Sequence, residues 1–300
     1  MLGLIIAAVA GSLFCLSTVI LRKGIYWSGE SFSAAPITCF TGVIFFGLAI
    51  PVTGEGGQLF SLSWKGMAYL SGAGVLHFTI GRLVAYTAMR LIGANRTSPI
   101  TSCLILVSVL LGVIFLGEPL TVYLVIATFL ILVGIFVISS TGGAGGKEGG
   151  GPRAIVTMGV LAAIGGAICW GVSPLLIKIG LQGGVSPQVG AFVSYAAASI
   201  AIGLTLVFPQ NYRKLGRLSR KAFTMIIVAS TVLATAHLLR YIAIDLSPVS
   251  LVTTVFSSIS MLLVFPVSFL INREIEVFSW KVILGAGIIT AGIILVFLAA

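Results

Sequence analysis

The chain has 300 residues, of which 58% are hydrophobic and only 8% charged. An ordinary soluble domain is near one quarter charged, so a water-soluble fold is excluded. The net charge of +10 does not mark a nucleic-acid binder, because the cations lie scattered at the ends of apolar segments with no basic stripe.

Ten apolar segments follow one another: 2–21, 34–52, 66–89, 97–116, 121–139, 155–177, 188–208, 222–244, 249–270 and 278–299. Each is continuous rather than alternating, and each is long enough to cross a bilayer as a helix. Only helices and closed barrels satisfy their backbone in lipid, and the lack of alternation argues against a barrel. The expected fold is all-α, an integral membrane protein of ten transmembrane helices. The first segment lacks the basic leader of a signal peptide; its cations, Arg22 and Lys23, follow it, so it reads as a retained span. The four cysteines, Cys15, Cys39, Cys103 and Cys169, lie within apolar segments without metal-ligand spacing, and read as packing residues.

Residues 140–153, STGGAGGKEGGGPR, are half glycine and read as a flexible linker. It divides the chain into a first repeat, 1–139, and a second, 154–300. At a fixed offset of 155 residues, Arg82 falls on His237, Tyr86 on Tyr241, Ala88 on Ala243 and Leu91 on Leu246. Gly11 and Lys23 fall on Gly166 and Lys178, Ser98 on Thr253 and Ser102 on Ser257. Five spans per half make the second copy enter the membrane inverted, the plan of many secondary transporters.

The segments also carry polar residues where lipid would not tolerate them. Arg82 sits midway along the third span, at a cost of at least a few kcal/mol unless it faces a cavity or a partner. Thr79, Arg82 and Tyr86 share one face at regular helical spacing. Arg82 holds an anionic solute group, or else is a buried arginine satisfied by helix-end carbonyls. His237, Arg240 and Tyr241 form the matching face of the eighth span, with snorkelling to the interface as the alternative for Arg240. His77 is either a proton-coupling site or a satisfied core histidine. Hydroxyls crowd the fourth and ninth spans: Thr97, Ser98, Thr101 and Ser102, then Thr253, Thr254, Ser257, Ser258 and Ser260. They are cavity walls or helix–helix glue. Trp170 and Tyr86 are stacking surfaces or ordinary packing. Pro174 and Pro266 interrupt the sixth and ninth spans as hinges or kinks. All seven acids, Glu30, Glu55, Glu118, Glu148, Asp245, Glu274 and Glu276, fall at segment ends or in loops. A cation-binding interior is therefore disfavoured.

Several short motifs occur in order: Tyr86-Thr-Ala-Met-Arg90, Ser98-Pro99-Ile100, Leu116-Gly117-Glu118-Pro119-Leu120-Thr121, and Cys169-Trp170-Gly171 with Lys178. On these, and on the duplication, the whole chain resembles the ten-helix EamA-type branch of the drug/metabolite transporter superfamily. The resemblance implies an exporter or exchanger of small organic solutes, often amino acids or related metabolites. It implies a central cavity lined by the first four helices of each half. Phe14-Cys15-Leu16 departs from the Trp-Gly usual in the first span. The small multidrug exporters of the superfamily use a mid-membrane glutamate in the first helix, and this chain has none.

The expected function is alternating-access transport of a small metabolite bearing a carboxylate or phosphate, with substrate contacts from Arg82, Tyr86, His77, Ser98, Ser102, Trp170, His237, Arg240, Tyr241 and Ser257. The expected partners are that metabolite and the lipid bilayer, with no nucleic acid, no cofactor and no metal, in a monomer or homodimer in the cell (inner) membrane. A membrane-embedded enzyme using His77 or His237, and a receptor or structural protein, are the rival classes. No nucleotide loop, metal cluster or nucleophile–base pair favours an enzyme.

Loop cations set orientation. Loops after odd spans hold 13: Arg22, Lys23, Arg90, Arg96, Lys147, Arg153, Arg213, Lys214, Arg217, Arg220, Lys221, Arg273 and Lys281. Loops after even spans hold only Lys65 and Lys178. The linker and the 209–221 loop are thus expected in the cytoplasm and both termini outside, opposite to the way the family is commonly drawn. In a version without native cysteines, an impermeant thiol reagent on intact cells should label a cysteine at the C-terminus and spare one at Gly145. The reverse pattern would invert the orientation.

Overall fold

A computed structural model of the chain describes residues 1–28, 32–92, 97, 100–139, 153–209, 211, 218–271 and 280–298. Among these residues the regular structure is helical, with no strand. The helices are α1 (Leu2–Ser28), α2 (Ala34–Thr53), α3 (Gly57–Ser61), α4 (Trp64–Gly74), a π turn (Val75–Ile80), α5 (Gly81–Ile92), α6 (Leu104–Leu116), α7 (Val122–Ser139), α8 (Arg153–Leu181), α9 (Pro187–Thr205), α10 (Arg220–Leu246), α11 (Val249–Ile271) and α12 (Trp280–Leu298). Each of the ten apolar segments contains helix, and the third is a composite of α4, the π turn and α5. Five helices are long and apolar enough to cross a membrane on length and composition alone, and shorter apolar helices span Ile100–Leu116, Val122–Val137, Val249–Val264 and Ile283–Leu298. Large apolar side chains such as Phe60, Ile114, Phe129, Phe136 and Leu204 are exposed on the outside of the bundle, as lipid contact requires.

Two expectations change. Pro174 and Pro266 do not interrupt their spans: α8 and α11 run continuously through both. In a closely packed bundle, neighbouring groups can accommodate the lost backbone bond. The irregular backbone is instead the π turn in the third segment, where no proline stands. Arg22 and Lys23 also lie inside α1 rather than after it, because the helix continues to Ser28. Residues 140–152 of the 140–153 linker, and Ser98, lie outside the described residues.

The helices pair across the two halves of the sequence. α1 packs on α10 and α11, while its counterpart at the 155-residue offset, α8, packs on α4, α5 and α6. α2 packs on α9, α6 on α11 and α7 on α12. Without a hydrophobic force between helices in lipid, such packing depends on close backbone approach at small residues. A Cβ on Gly11 would meet Phe256 O at 2.6 Å, and one on Gly134 would meet Ile289 at 2.7 Å.

One end of the bundle is tied by polar groups at helix ends. Gly117, with φ +66°, closes α6 in the left-handed conformation that glycine favours. That turn directs Glu118 onto the start of α11, where Oε1 accepts from Val249 N and Oε2 from Ser250 N at 2.9 Å. A carboxylate there satisfies orphan N–H groups and complements the helix dipole. Lys178 at the end of α8 donates to Ile244 O at 2.7 Å and Asp245 O at 2.8 Å, which caps the end of α10. Ser186 donates its backbone N–H to Gln58 Oε1 at 2.7 Å and its hydroxyl to Glu55 Oε2 at 2.8 Å. These bonds account for Glu55, Glu118 and Lys178 among the charged residues at segment ends.

Gly74 touches the backbone of α9 most closely: a Cβ there would stand 2.0 Å from Ser194 O. Gly74→Ala should lower stability by about 1–3 kcal/mol, the usual cost of overpacking. Gly57→Ala, where a Cβ meets nothing within 4 Å, should change it by under about 0.5 kcal/mol. Unfolding of the purified protein in detergent would check both; equal stability of the two variants would contradict the packing.

Candidate functional site

The π turn builds one wall of the centre. Widening the helix by about one residue per turn leaves carbonyls without their usual partners, and π segments are frequent at functional sites. The indole of Trp170, reaching from α8, donates to His77 O at 3.0 Å. Gly81 follows the turn because a side chain would not fit: its Cβ would stand 2.8 Å from both Leu76 O and Trp170 Nε1. Thr79 donates to Ala198 O at 3.2 Å and Ser194 donates to Leu70 O at 2.7 Å, so α9 holds the turn from the other side. The corresponding stretch of the second half, 230–235, is ordinary α-helix inside α10.

The turn brings His77 against His237 of α10, edge to face, with ring centroids 5.6 Å apart. His237 is buried and shares a hydrogen bond of 2.8 Å between Nδ1 and Tyr195 Oη. Phe78 and Phe14 flank its ring at 4.9 and 6.0 Å. Arg240, one turn further along α10, is only 3% exposed. Its Nη1 lies 3.5 Å from His77 Nε2, and its guanidinium sits over the Phe256 ring at 4.7 Å. Arg82 is half-buried, with its guanidinium 6.0 Å from the Phe78 ring centre. Both guanidiniums lie within electrostatic reach of both imidazoles. Arginine can only donate, so its contact makes His77 Nε2 the acceptor and puts the ring hydrogen on Nδ1.

Several buried nitrogens of this cluster have no hydrogen-bond partner: His77 Nδ1, His237 Nε2 and Arg240 Nε. Such groups cost about 1–3 kcal/mol each when left unsatisfied. Among the described residues the acids are Glu55, Glu118 and Asp245, and all three lie at helix ends, away from the cluster. The arrangement is a donor-rich, cationic centre in an apolar bundle, suited to an anion.

The expected site residues separate on this geometry. His77, Arg82, Trp170, His237 and Arg240 come together. Arg240 does not snorkel: its helix continues six residues past it, to Leu246, and the side chain turns inward. Thr79 lies in the π turn, where the α spacing that put it beside Arg82 does not hold, and its hydroxyl is spent on Ala198 O. Tyr86 is half-buried on α5 and is not one of the stacked rings around His237. Tyr241 is buried against α9, its ring 3.6 Å from where a Cβ on Gly190 would stand. Ser102 and Ser257 are half-buried on the fourth and ninth segments. Hydroxyls nearby act within and between helices: Ser108 donates to Thr253 at 3.0 Å, and Thr254 and Ser258 bond back along α11.

The sequence reading missed Tyr195, Phe78 and Phe256. A signal for Tyr195 existed, a lone phenol in the middle of the small-residue run Ser-Tyr-Ala-Ala-Ala-Ser. Phe78 and Phe256 carried none, since phenylalanine is common throughout the chain.

The geometry stands beside clear likenesses. One solved crystal structure of a protein matches with a TM-score of 0.74 over 98% of this chain and 97% of its own, at 17% identity, a likeness of fold. No curated protein matches the sequence. The model of the EamA-like transporter family matches residues 1–140 and again 157–298. The match covers nearly the whole chain, in two successive copies, and the protein belongs to the EamA-like transporter family, a multi-pass membrane transporter of the drug/metabolite transporter type.

Proposed function

We propose that this protein is a secondary transporter, exporting or exchanging a small organic metabolite that bears a carboxylate or phosphate, and that the cluster of Arg82, Arg240, His77 and His237 is where the solute binds. Amino acids and related compounds are the members of that class suggested by the family resemblance. The membrane is the cell (inner) membrane, and the two halves, 1–139 and 154–300, are inverted copies.

One observation carries the reading. Two guanidiniums and two imidazoles share the bundle centre, three of their nitrogens lack partners, and no described acid faces them. An anionic group seated among them would accept from several donors at once and offset the cost of keeping cations at this depth. The rings of Phe14, Phe78 and Tyr195 pack closely around His237, so a solute enters only when helices move apart. The cross-half pairing of α1 with α10 and of α8 with α5 gives two packed units that rock about the cluster. Such rocking exposes a midplane site to one side and then the other.

Counterflow in proteoliposomes, across a panel of carboxylates and phosphates, tests the site. Arg82→Ala should reduce transport by on the order of 30-fold or more, since truncating one partner of a buried charged contact costs about 2–5 kcal/mol. Arg82→Lys should recover little, because the planar fork is lost. Normal transport by a well-folded Arg82→Ala protein would make the arginine structural and the site wrong.

A further inference from the structure

Resting on that reading, we infer that the solute carries two negative charges, as a dicarboxylate or a phosphate monoester does, and that zwitterions are refused.

Arg82 and Arg240 supply two fixed positive charges, since guanidinium keeps its proton in proteins. Among the described residues no carboxylate faces them from any helix packed on the cluster. The other titratable groups there are Tyr195, Tyr241, Cys39 and the two imidazoles, none of which supplies a balancing anion. A solute with one negative charge leaves a net positive charge buried in the bundle. A solute with two leaves the site neutral, and a low-dielectric interior strongly disfavours an uncompensated ion.

Hydrogen-bond sense agrees. The unpartnered atoms of His77 and Arg240 are N–H donors, for His77 because its other nitrogen accepts from Arg240. When Tyr195 donates to His237 Nδ1, the ring hydrogen of His237 stands on Nε2 and joins them. An ammonium brought into this set meets like charge on two sides. Among the described residues it finds no carboxylate to accept from it, and like-charge juxtaposition disfavours it. An amino acid therefore fits its carboxylate and not its amine. Two anionic groups, or one phosphate with two charges, fit throughout.

The test is isothermal titration of the purified protein in nanodiscs at pH 7.5 with succinate, its monomethyl ester, glycerol phosphate, acetate and alanine. Succinate or glycerol phosphate, whichever matches the natural class, should bind at least tenfold more tightly than the ester or acetate, and alanine should not bind. Arg240→Gln, with one charge removed, should bring succinate and its ester within about threefold of each other. If the ester binds the wild-type protein as tightly as succinate, the charge count is wrong while an anion site remains. If alanine binds and no anion does, both this inference and the anion-transport reading fall. The wild-type comparison of succinate with its ester needs no variant, so a poorly folding Arg240→Gln protein leaves the test intact.

Discussion

Two guanidiniums held inside an apolar bundle, with no described acid to answer them, are the constraint from which the rest of the structure follows. A cation at that depth in lipid is costly unless it faces protein, water or a ligand. Arg82 rests near the Phe78 ring, and Arg240 rests on the Phe256 ring and bonds His77. These contacts stabilise modestly, each cation–π pair by about 0.5–2 kcal/mol, and leave part of Arg240 unsatisfied. A bundle built only for stability would replace such charges with packed aliphatic side chains.

The halves repeat the scaffold and depart from each other at the site. At the 155-residue offset Arg82 answers His237, but Arg240 answers Ala85, Trp170 answers Cys15 and Tyr195 answers Phe40. The first half supplies Arg82, His77 and the π turn, while the second supplies His237, Arg240, Tyr195 and the indole that holds the turn. The same helix pairings recur, with α1 on α10 matched by α8 on α5, so each packed pair joins a helix from one half to a helix from the other. Different side chains on those equivalent helices make a centre with two cations on unlike walls. In the proposed site, the solute contacts come from the departures from the repeat, and the helix pairings from the repeat itself.

Helical segments were legible in the sequence because continuous apolar runs have one solution in lipid. Arg82, His77, His237 and Arg240 were legible for the related reason that charge and imidazole are rare there. The π turn was not: Val75–Ile80 carries no proline, and its only trace is Gly81, one of 37 glycines. Its absence from the sequence reading misplaced Thr79, since α spacing was carried through a stretch that does not keep it. The role of Trp170 was missed for the same cause, as a free carbonyl at His77 exists only where the π turn leaves one. Pro174 and Pro266 lie within unbroken helices, because a residue that breaks helices in water is tolerated in a closely packed bundle. Glu118 and Lys178 were correctly placed at segment ends, but their capping of α11 and α10 depends on which helices are neighbours in space.

The most direct measurement is a structure of the protein in nanodiscs determined with saturating succinate or glycerol phosphate. The account predicts solute density between α5 and α10, with anionic oxygens within hydrogen-bond distance of the guanidiniums of both Arg82 and Arg240 and of His237 Nε2. Bound solute elsewhere in the bundle, with both arginines still on their phenylalanine rings, would contradict it.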